Sequence, residues 1–457
     1  MRCFALLCES SLPRSPRVGA VCGVQPGITS RCRSAAGFLT GLTKHTCHAN
    51  GQRQVRRLSQ CVASKSTQEV RPTVTATLNR KARDQKLCSE LFRFNSLKHI
   101  PAKSYLHAHP AGMSNQRTFS MRASENHVFP VPQPGCYAPA ITFFDPKTEH
   151  LRLDEQSKYY SYLASTGLTG LVILGTNAET FLLTREERKK LIQVARQSVP
   201  QDYPIIAGVS GHSNVQVLEY INDAYEAGAD FVLLLPCAYF GKQTTPAVVK
   251  GFFSDVARAS PLPIVLYNFP AVCNGLDLDS EIITEISNAN DNVVGVKLTC
   301  GSVAKIARLA ATFPPERFAV FGGQSDFLLG GLAVGSAGCI AAFGNVLPRS
   351  VVRIYELWKD GRQEEALALQ KTLSLAESPM KAGIACTKYA ASLLSAPAAG
   401  INDPATLLRP RRPYLEPDTA TKAKIEQIIL PLQGLEFDME GHGDGAQGEV
   451  SGYVQSS

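Results

Sequence analysis

From Gly135 to about Phe343, short apolar runs bounded by Gly, Pro, Asn or Asp alternate with amphipathic segments. Eight of these runs predict strands: Cys136 to Phe144, Gly170 to Gly175, Pro204 to Val209, Asp230 to Pro236, Pro263 to Asn268, Val293 to Thr299, Phe318 to Gly322 and Gly338 to Phe343. Their near-continuous hydrophobicity suits strands covered on both faces, as in a parallel sheet. The intervening segments predict helices. In the second, Thr184 and Glu187 have capping-box spacing, and Leu191, Ile192, Val194 and Ala195 form one face against Arg188, Lys189 and Lys190. The third, from Asn214, turns Val217, Ile221 and Ala224 inward and stops at Gly228. Eight such units predict an α/β fold, a TIM (β/α)8 barrel. An open doubly wound sheet is the competing topology, but the Gly-rich nucleotide fingerprint it usually carries does not follow the first strand.

After the eighth run, a long helix is predicted through Tyr355 and Trp358 to about Leu375, then helical patterns at 382–394 and 419–429. These are additional C-terminal helices, available for subunit contacts. The organisation expected is therefore a basic leader or targeting extension at 1–130, the barrel at 134–375, C-terminal helices at 376–435 and a disordered tail at 436–457.

Composition changes this picture mainly at the leader. The 457 residues are 44% hydrophobic and 19% charged, enough to bury a large core. The net charge of +8 is uneven: residues 1–68 carry ten Lys or Arg and one acid, Glu9. An Arg- and Ser-rich, acid-poor leader is that of a mitochondrial transit peptide; a disordered extension, or initiation at Met113 or Met121, would leave the enzyme cytoplasmic. Because the excess charge lies in the leader, nucleic acid is not an expected partner. The uncharged run Phe327 to Leu347 is 21 residues long, as a membrane span requires, but it contains five glycines and falls within the strand–helix repeat, so no membrane span is expected. Thirteen cysteines include six before residue 62, and the rest are scattered singly, so reduced thiols are expected. Only His150 and His212 lie between 134 and 435, which favours chemistry without a metal.

In such a barrel, chemistry sits at the C-terminal ends of the strands. The polar residues there are few: Thr176, Asn177 and Glu179 after the second strand, Tyr239 after the fourth, Tyr267 and Asn268 ending the fifth, Lys297 and Thr299 ending the sixth, and Gly323 and Gln324 after the seventh. Lys297 interrupts an otherwise apolar strand. A lysine so placed commonly reaches solvent or pairs with an acid; inside a barrel mouth, loss of water instead favours a neutral amine. A neutral amine attacks a ketone to give an iminium, an electron sink for making or breaking the adjacent carbon–carbon bond. Tyr267, one unit earlier, is placed to move the protons this requires, or is a core aromatic. Thr176, Asn177 and Thr299 offer donors for a carboxylate, or ordinary turn chemistry.

These motifs, GTNAE followed by LT and an ER pair, YNFP, GVKLTCG and GSAG with Asn345 and Pro348, resemble the dihydrodipicolinate synthase and N-acetylneuraminate lyase family of class I aldolases over about residues 134–395. YNFP leading into GLDLDSEII, together with GVKLTCG, is nearest the branch of 4-hydroxy-2-oxoglutarate aldolase and fungal 2-keto-3-deoxy-galactonate aldolases. The resemblance implies Lys297 as the Schiff-base lysine, Tyr267 as proton relay, Thr176 and Asn177 holding the pyruvate carboxylate, Thr299 and Gly323 nearby in the substrate site, and Tyr239 as a tyrosine lent across a subunit interface. It implies a cofactor-free homotetramer acting on a pyruvate-type 2-oxo acid. Two departures stand out. Ala178 replaces the family's Gly, which strains the turn if that position needs positive φ. No Arg follows YNFP, where Ala271, Val272, Cys273 and Asn274 stand, and this argues against dihydrodipicolinate synthase itself. Other readings are a barrel without catalysis, used for binding or assembly, and a phosphate-using isomerase whose phosphate loop would be Gly322–Gly323 or Gly335 to Gly338.

Overall fold

The computed structural model describes residues 129–438; nearly all of the expected leader, with Met113 and Met121, and most of the expected tail lie outside the described residues. Eight parallel strands close into a barrel in chain order. They are β1 (Gly135–Pro139), β2 (Gly170–Ile173), β3 (Ile205–Gly208), β4 (Phe231–Leu234), β5 (Ile264–Asn268), β6 (Val293–Leu298), β7 (Ala319–Gly322) and β8 (Gly338–Ile340). One helix follows each: α1 (Leu153–Ala164), α2 (Arg185–Ser198), α3 (Asn214–Glu226), α4 (Pro246–Ala259), α5 (Ser280–Ala289), α6 (Val303–Thr312), α7 (Leu328–Leu332) and α8 (Pro348–Lys359). Beyond the barrel come α9 (Gln363–Glu377), α10 (Ile384–Leu393), the single turns α11 (Ser395–Ala398) and α12 (Pro404–Leu407), α13 (Thr419–Ile429) and α14 (Gln433–Phe437).

The strand alternation sorts the core into two layers. Val172, Ile206, Leu233, Val265, Phe321 and Ile340 fill the barrel interior. Their neighbours Leu171, Ile173, Ile205, Leu234 and Leu266 pack outward against the helices. Closure requires glycine: Gly338 has φ +138°, and a Cβ there would lie 1.9 Å from the Gly135 carbonyl oxygen across the β1–β8 ladder. The capping box at Thr184 and Glu187 is formed, and Gly228 adopts φ +88° after α3.

Three expectations are corrected. First, the ladder is shorter than some apolar runs. β1 ends at Pro139, while Ile141 and Phe143 stay buried outside it, their N–H groups donating to Asn345 Oδ1 at 3.2 Å and Gln156 Oε1 at 3.1 Å. Side-chain amides there satisfy the backbone in place of a neighbouring strand. Second, the long helix through Tyr355 and Trp358 is two, α8 and α9, because Gly361 takes φ +75° between them and its N–H closes on the Trp358 carbonyl. Third, order continues past residue 435. Glu436 is fully buried in α14, and its carboxylate accepts from the N–H groups of Arg349 and Ser350 at 2.8 and 3.0 Å and from the Ser350 hydroxyl at 2.6 Å. It thereby satisfies the otherwise orphaned donors at the start of α8. The uncharged run 327–347 divides between α7, β8 and the turn after it, and among the described residues no helix is long and apolar enough to cross a membrane.

Burial pushes the Glu436 carboxyl up to about 7, against the opposing hydrogen bonds from Ser350 and Arg349. The folded chain therefore keeps this proton to higher pH than the unfolded one. The stability it contributes is complete below the unfolded value of about 4.5 and is lost as pH rises to about 7. Denaturation midpoints measured across that window should fall less for Glu436→Gln than for the wild type. Glu436→Ala, which strands the helix donors, should cost about 1 to 3 kcal/mol at any pH in the window.

Candidate active site

Lys297 owes its direction to an irregularity. The β5–β6 ladder shifts between Ile264 and Val265, pairing Ile264 with Val293 and Val265 with Gly295, so Val294 is an extra residue on β6. Beyond the shift Val296 and Leu298 pack toward the helices, and Lys297 turns into the barrel beside its cross-strand partner Tyr267. The two are buried, at 2% and 3% exposure, and the Lys297 ammonium lies 4.4 Å from the centroid of the Tyr267 ring. Neither ordinary fate of a strand lysine applies. Lys297 does not reach solvent, and among the described residues no acid pairs with it, whereas the buried Lys305 and Lys388 pair with Asp277 and Glu179 at 2.6 and 2.5 Å.

The Tyr267 hydroxyl is 3.3 Å from Thr176 Oγ1, which comes from the loop after β2. Thr176, Asn177 and Ala178 form a single 3-10 turn, with Thr176 and Asn177 half-buried. Ala178 is not in the left-handed region. The left-handed residues of this loop are Leu174, at φ 64°, and Glu179, at φ 57°. A methyl at 178 is thus unstrained; it is buried, and the Ala178 carbonyl accepts from Thr142 Oγ1 at 2.9 Å. The strain expected at 178 falls one residue later, on Glu179.

Thr299 is fixed by its N–H, which donates to the Asn268 carbonyl at 2.9 Å. Gly323 lies directly over it: a Cβ on Gly323 would meet Thr299 Oγ1 at 2.2 Å, so glycine alone lets the loop after β7 lie this close. The Thr299 hydroxyl is buried without a hydrogen-bond partner. Lys297, Tyr267, Thr176, Thr299 and Gly323 are therefore drawn together from four strand ends. Tyr239 is not among them. It stands on the rim, 71% exposed, in an aromatic row running Phe181, His212, Tyr239, Phe240, and lines a rim cavity of about 240 Å³ that does not include Lys297.

A supporting network escaped the motif reading. Asn268, fully buried after Tyr267, donates to Asp277 Oδ1 at 2.7 Å and accepts from the Leu278 N–H at 2.9 Å. Lys305 Nζ donates to the same Asp277 oxygen and to the Leu278 carbonyl, both at 2.6 Å. Burial opposes ionisation of Asp277, yet the hydrogen bonds from Lys305 and Asn268 hold its carboxyl below the usual range. The network fixes the end of β5 against α6. A lysine on the inward face of amphipathic α6 was the available signal. Among the described residues no three His, Cys, Asp or Glu side chains converge as a metal site needs.

The model for the family described as "Dihydrodipicolinate synthetase family" matches residues 134–430. A Coccidioides immitis protein named as a mitochondrial 4-hydroxy-2-oxoglutarate aldolase is 62% identical over 306 residues, 67% of this chain and 98% of that one. An L-threo-3-deoxy-hexylosonate aldolase of Aspergillus niger is 38% identical over 286 residues, 56% of this chain and 85% of the other. Among solved structures, YagE of Escherichia coli K12, crystallised in complex with pyruvate, superimposes with a TM-score of 0.59 at 27% identity, covering 66% of this chain and 98% of its own.

The unpartnered hydroxyl generates a prediction. Thr299→Val keeps shape while removing a buried group with no partner, so the melting temperature should hold or rise. If the hydroxyl meets substrate, turnover should nevertheless fall by about 10- to 100-fold, the worth of a hydrogen bond to a charged group. Steady-state kinetics beside thermal melting checks both, and unchanged turnover would remove Thr299 from the site.

Proposed function

The chain belongs to the dihydrodipicolinate synthetase family, and from that premise we propose that its aldolase chemistry runs through Lys297. The protein is a class I aldolase, a lyase acting on a pyruvate-type 2-oxo acid. The observation that carries the assignment of Lys297 is a buried lysine with no counter-charge beside a tyrosine ring, at the C-terminal end of a barrel strand. The substrate we propose is 4-hydroxy-2-oxoglutarate, supported by the name of the 62% identical relative. The stretch after YNFP supports cleavage over dihydrodipicolinate synthesis. It is a 3-10 turn with Val272 half-exposed, and Asn274, at φ 52°, donates to the Ala238 carbonyl at 2.6 Å, so no guanidinium is offered there.

In this route the Lys297 amine attacks C2 of the 2-oxo acid, and the carbinolamine loses water to give a protonated imine. Tyr267, left as a phenolate after giving its proton to the carbinolamine hydroxyl that departs as water, takes the proton of the C4 hydroxyl as the C3–C4 bond breaks. The electron pair of that bond moves into the imine as an enamine, and the aldehyde, here glyoxylate, departs. Tyr267 returns a proton to C3, and water hydrolyses the imine to pyruvate and free Lys297. Thr176 and Asn177 hold the carboxylate next to C2, with the Thr176 hydroxyl also within reach of Tyr267. Thr299 and Gly323 bound the far side of the reacting carbons.

The exposed aromatic row on the rim supports assembly into a homotetramer of dimers in which Tyr239 reaches a neighbouring subunit. Sedimentation equilibrium should give four chains per particle; a monomer at assay concentrations would end this part of the reading. The Arg- and Ser-rich N-terminal residues and the name of the Coccidioides relative support delivery to mitochondria.

Borohydride with pyruvate should trap an adduct on Lys297, and Lys297→Arg should abolish it, because a guanidinium does not form the imine. An adduct mapped to Lys305 or Lys381, or none at all, would sink the mechanism. Tyr267→Phe should lower turnover by roughly 100- to 10,000-fold, the worth of a positioned acid–base group. Trapping at long incubation should persist in that variant, since the amine still attacks slowly with water moving the proton. Near-full activity with a lower melting point would make Tyr267 a core tyrosine.

A further inference from the structure

The loop that carries Thr176 and Asn177 is bent at both ends into a region that residues with a Cβ rarely adopt, at Leu174 and at Glu179. Such a backbone persists only where its surroundings over-determine it. Here they do so through Glu179, a carboxylate buried to 5% exposure. Its Oε1 accepts from Lys388 Nζ at 2.5 Å and its Oε2 from the Arg411 N–H at 2.7 Å. Lys388 has no exposed surface. Its ammonium also donates to the Arg409 carbonyl at 3.0 Å and lies 4.7 Å from the centre of the Phe144 ring, a ring that the Arg411 guanidinium shares at 5.0 Å. Arg411 in turn grips Glu187 with both nitrogens at 2.6 and 2.8 Å and donates to the Leu182 carbonyl at 3.0 Å. Every one of these partners to the loop comes from α10 or from residues 409–411, more than two hundred positions along the chain.

A fully buried ion pair is a costly way to join two elements, since both charges leave water and apolar packing would serve as well. What apolar packing does not supply is direction. A carboxylate with one oxygen on an ammonium and the other on a backbone N–H has one orientation, and Glu179 stands three residues from Thr176. Neither Glu179 nor Lys388 takes a step in the proposed reaction.

We infer that Glu179 and Lys388 are positioning residues: their buried ion pair locks the loop after β2 to the C-terminal helices, in the turn that presents Thr176 and Asn177 to the carboxylate of the 2-oxo acid. The inference rests on the aldolase reading for its ligand. It makes the C-terminal helices part of the substrate site and not only a surface for subunit contacts.

Single substitutions leave one buried charge alone and are expected to unfold the chain, so the test is Glu179→Gln with Lys388→Met together, which removes both charges at similar volume. In the folded double variant, amide exchange of the 174–183 segment should quicken by about tenfold or more, with α9 unchanged. The pyruvate concentration that half-saturates borohydride trapping should rise by about tenfold or more, while trapping on Lys297 at saturation remains complete. Unchanged loop exchange, with half-saturation within about twofold of wild type, would show a pair that only joins helices to barrel. Coupling must also run in reverse, which the wild-type chain reports without any substitution: pyruvate should slow exchange of the 174–183 segment and of the Arg411 amide together. Absence of that joint protection overturns the inference even if the double variant fails to fold. If the wild type traps no pyruvate, the aldolase reading falls, and loop exchange in the double variant alone decides whether the lock exists.

Discussion

A barrel closed by eight parallel strands allows only one place where its strand-end loops can meet. Closure here depends on the approach of β8 to β1 at Gly338 and Gly135, where no side chain fits. Once that seam forms, residues from separate strand ends become neighbours: Thr176 reaches the hydroxyl of Tyr267, 91 positions away, and Gly323 lies on Thr299. The interior below them is filled by aliphatic and aromatic side chains. An amine turned into the barrel mouth is held away from water, in surroundings unlike those of a surface lysine.

Buried charge is distributed to match. Among the described residues three lysines are buried, and two of them pair with a carboxylate, Lys305 with Asp277 and Lys388 with Glu179. Lys297 alone has none, and its closest charge-stabilising neighbour is the face of an aromatic ring. The paired lysines hold the β5 end and the β2 loop, the two segments that carry Tyr267 and Thr176. Ion pairing thus serves the framework, while the lysine proposed as the nucleophile is left without it. Glu377 extends the scheme to a third loop: buried and pushed up to about 7 by that burial, it accepts from the Ser325 hydroxyl at 2.6 Å, two residues from Gly323.

The barrel was legible because strand burial leaves a one-dimensional trace: eight apolar runs punctuated by turn residues, with Lys297 conspicuous in the sixth and Tyr267 one unit before it. That trace also located α13 to the residue, at Thr419–Ile429. It misread features decided by single backbone angles. Asp360-Gly361 is a turn pair that the helical pattern on either side masked as the break between α8 and α9, and the left-handed residue after β2 proved to be Glu179 instead of Ala178. It was silent on pairings between distant positions. Lys388 sits in an apolar helical pattern where a lysine reads as an exposed interruption, and only the folded chain reveals Glu179 opposite it. Glu436 looked like the start of a polar tail because its partners are backbone N–H groups, which no residue type announces.

The extra residue on β6 gives the active site a dependence on parity. Side chains along a strand alternate between two faces, so the number of residues between a fixed anchor and Lys297 decides which face the amine occupies. The ladder is anchored at Ile264–Val293, and the unmatched Val294 supplies the odd step that turns position 297 inward. Shortening β6 by one residue at that point would give a more regular ladder with every remaining side chain chemically intact, and would leave the lysine among the helices. The information that points Lys297 into the barrel is therefore held partly in a count, and a comparison of residue types position by position would register such a deletion as the loss of one valine.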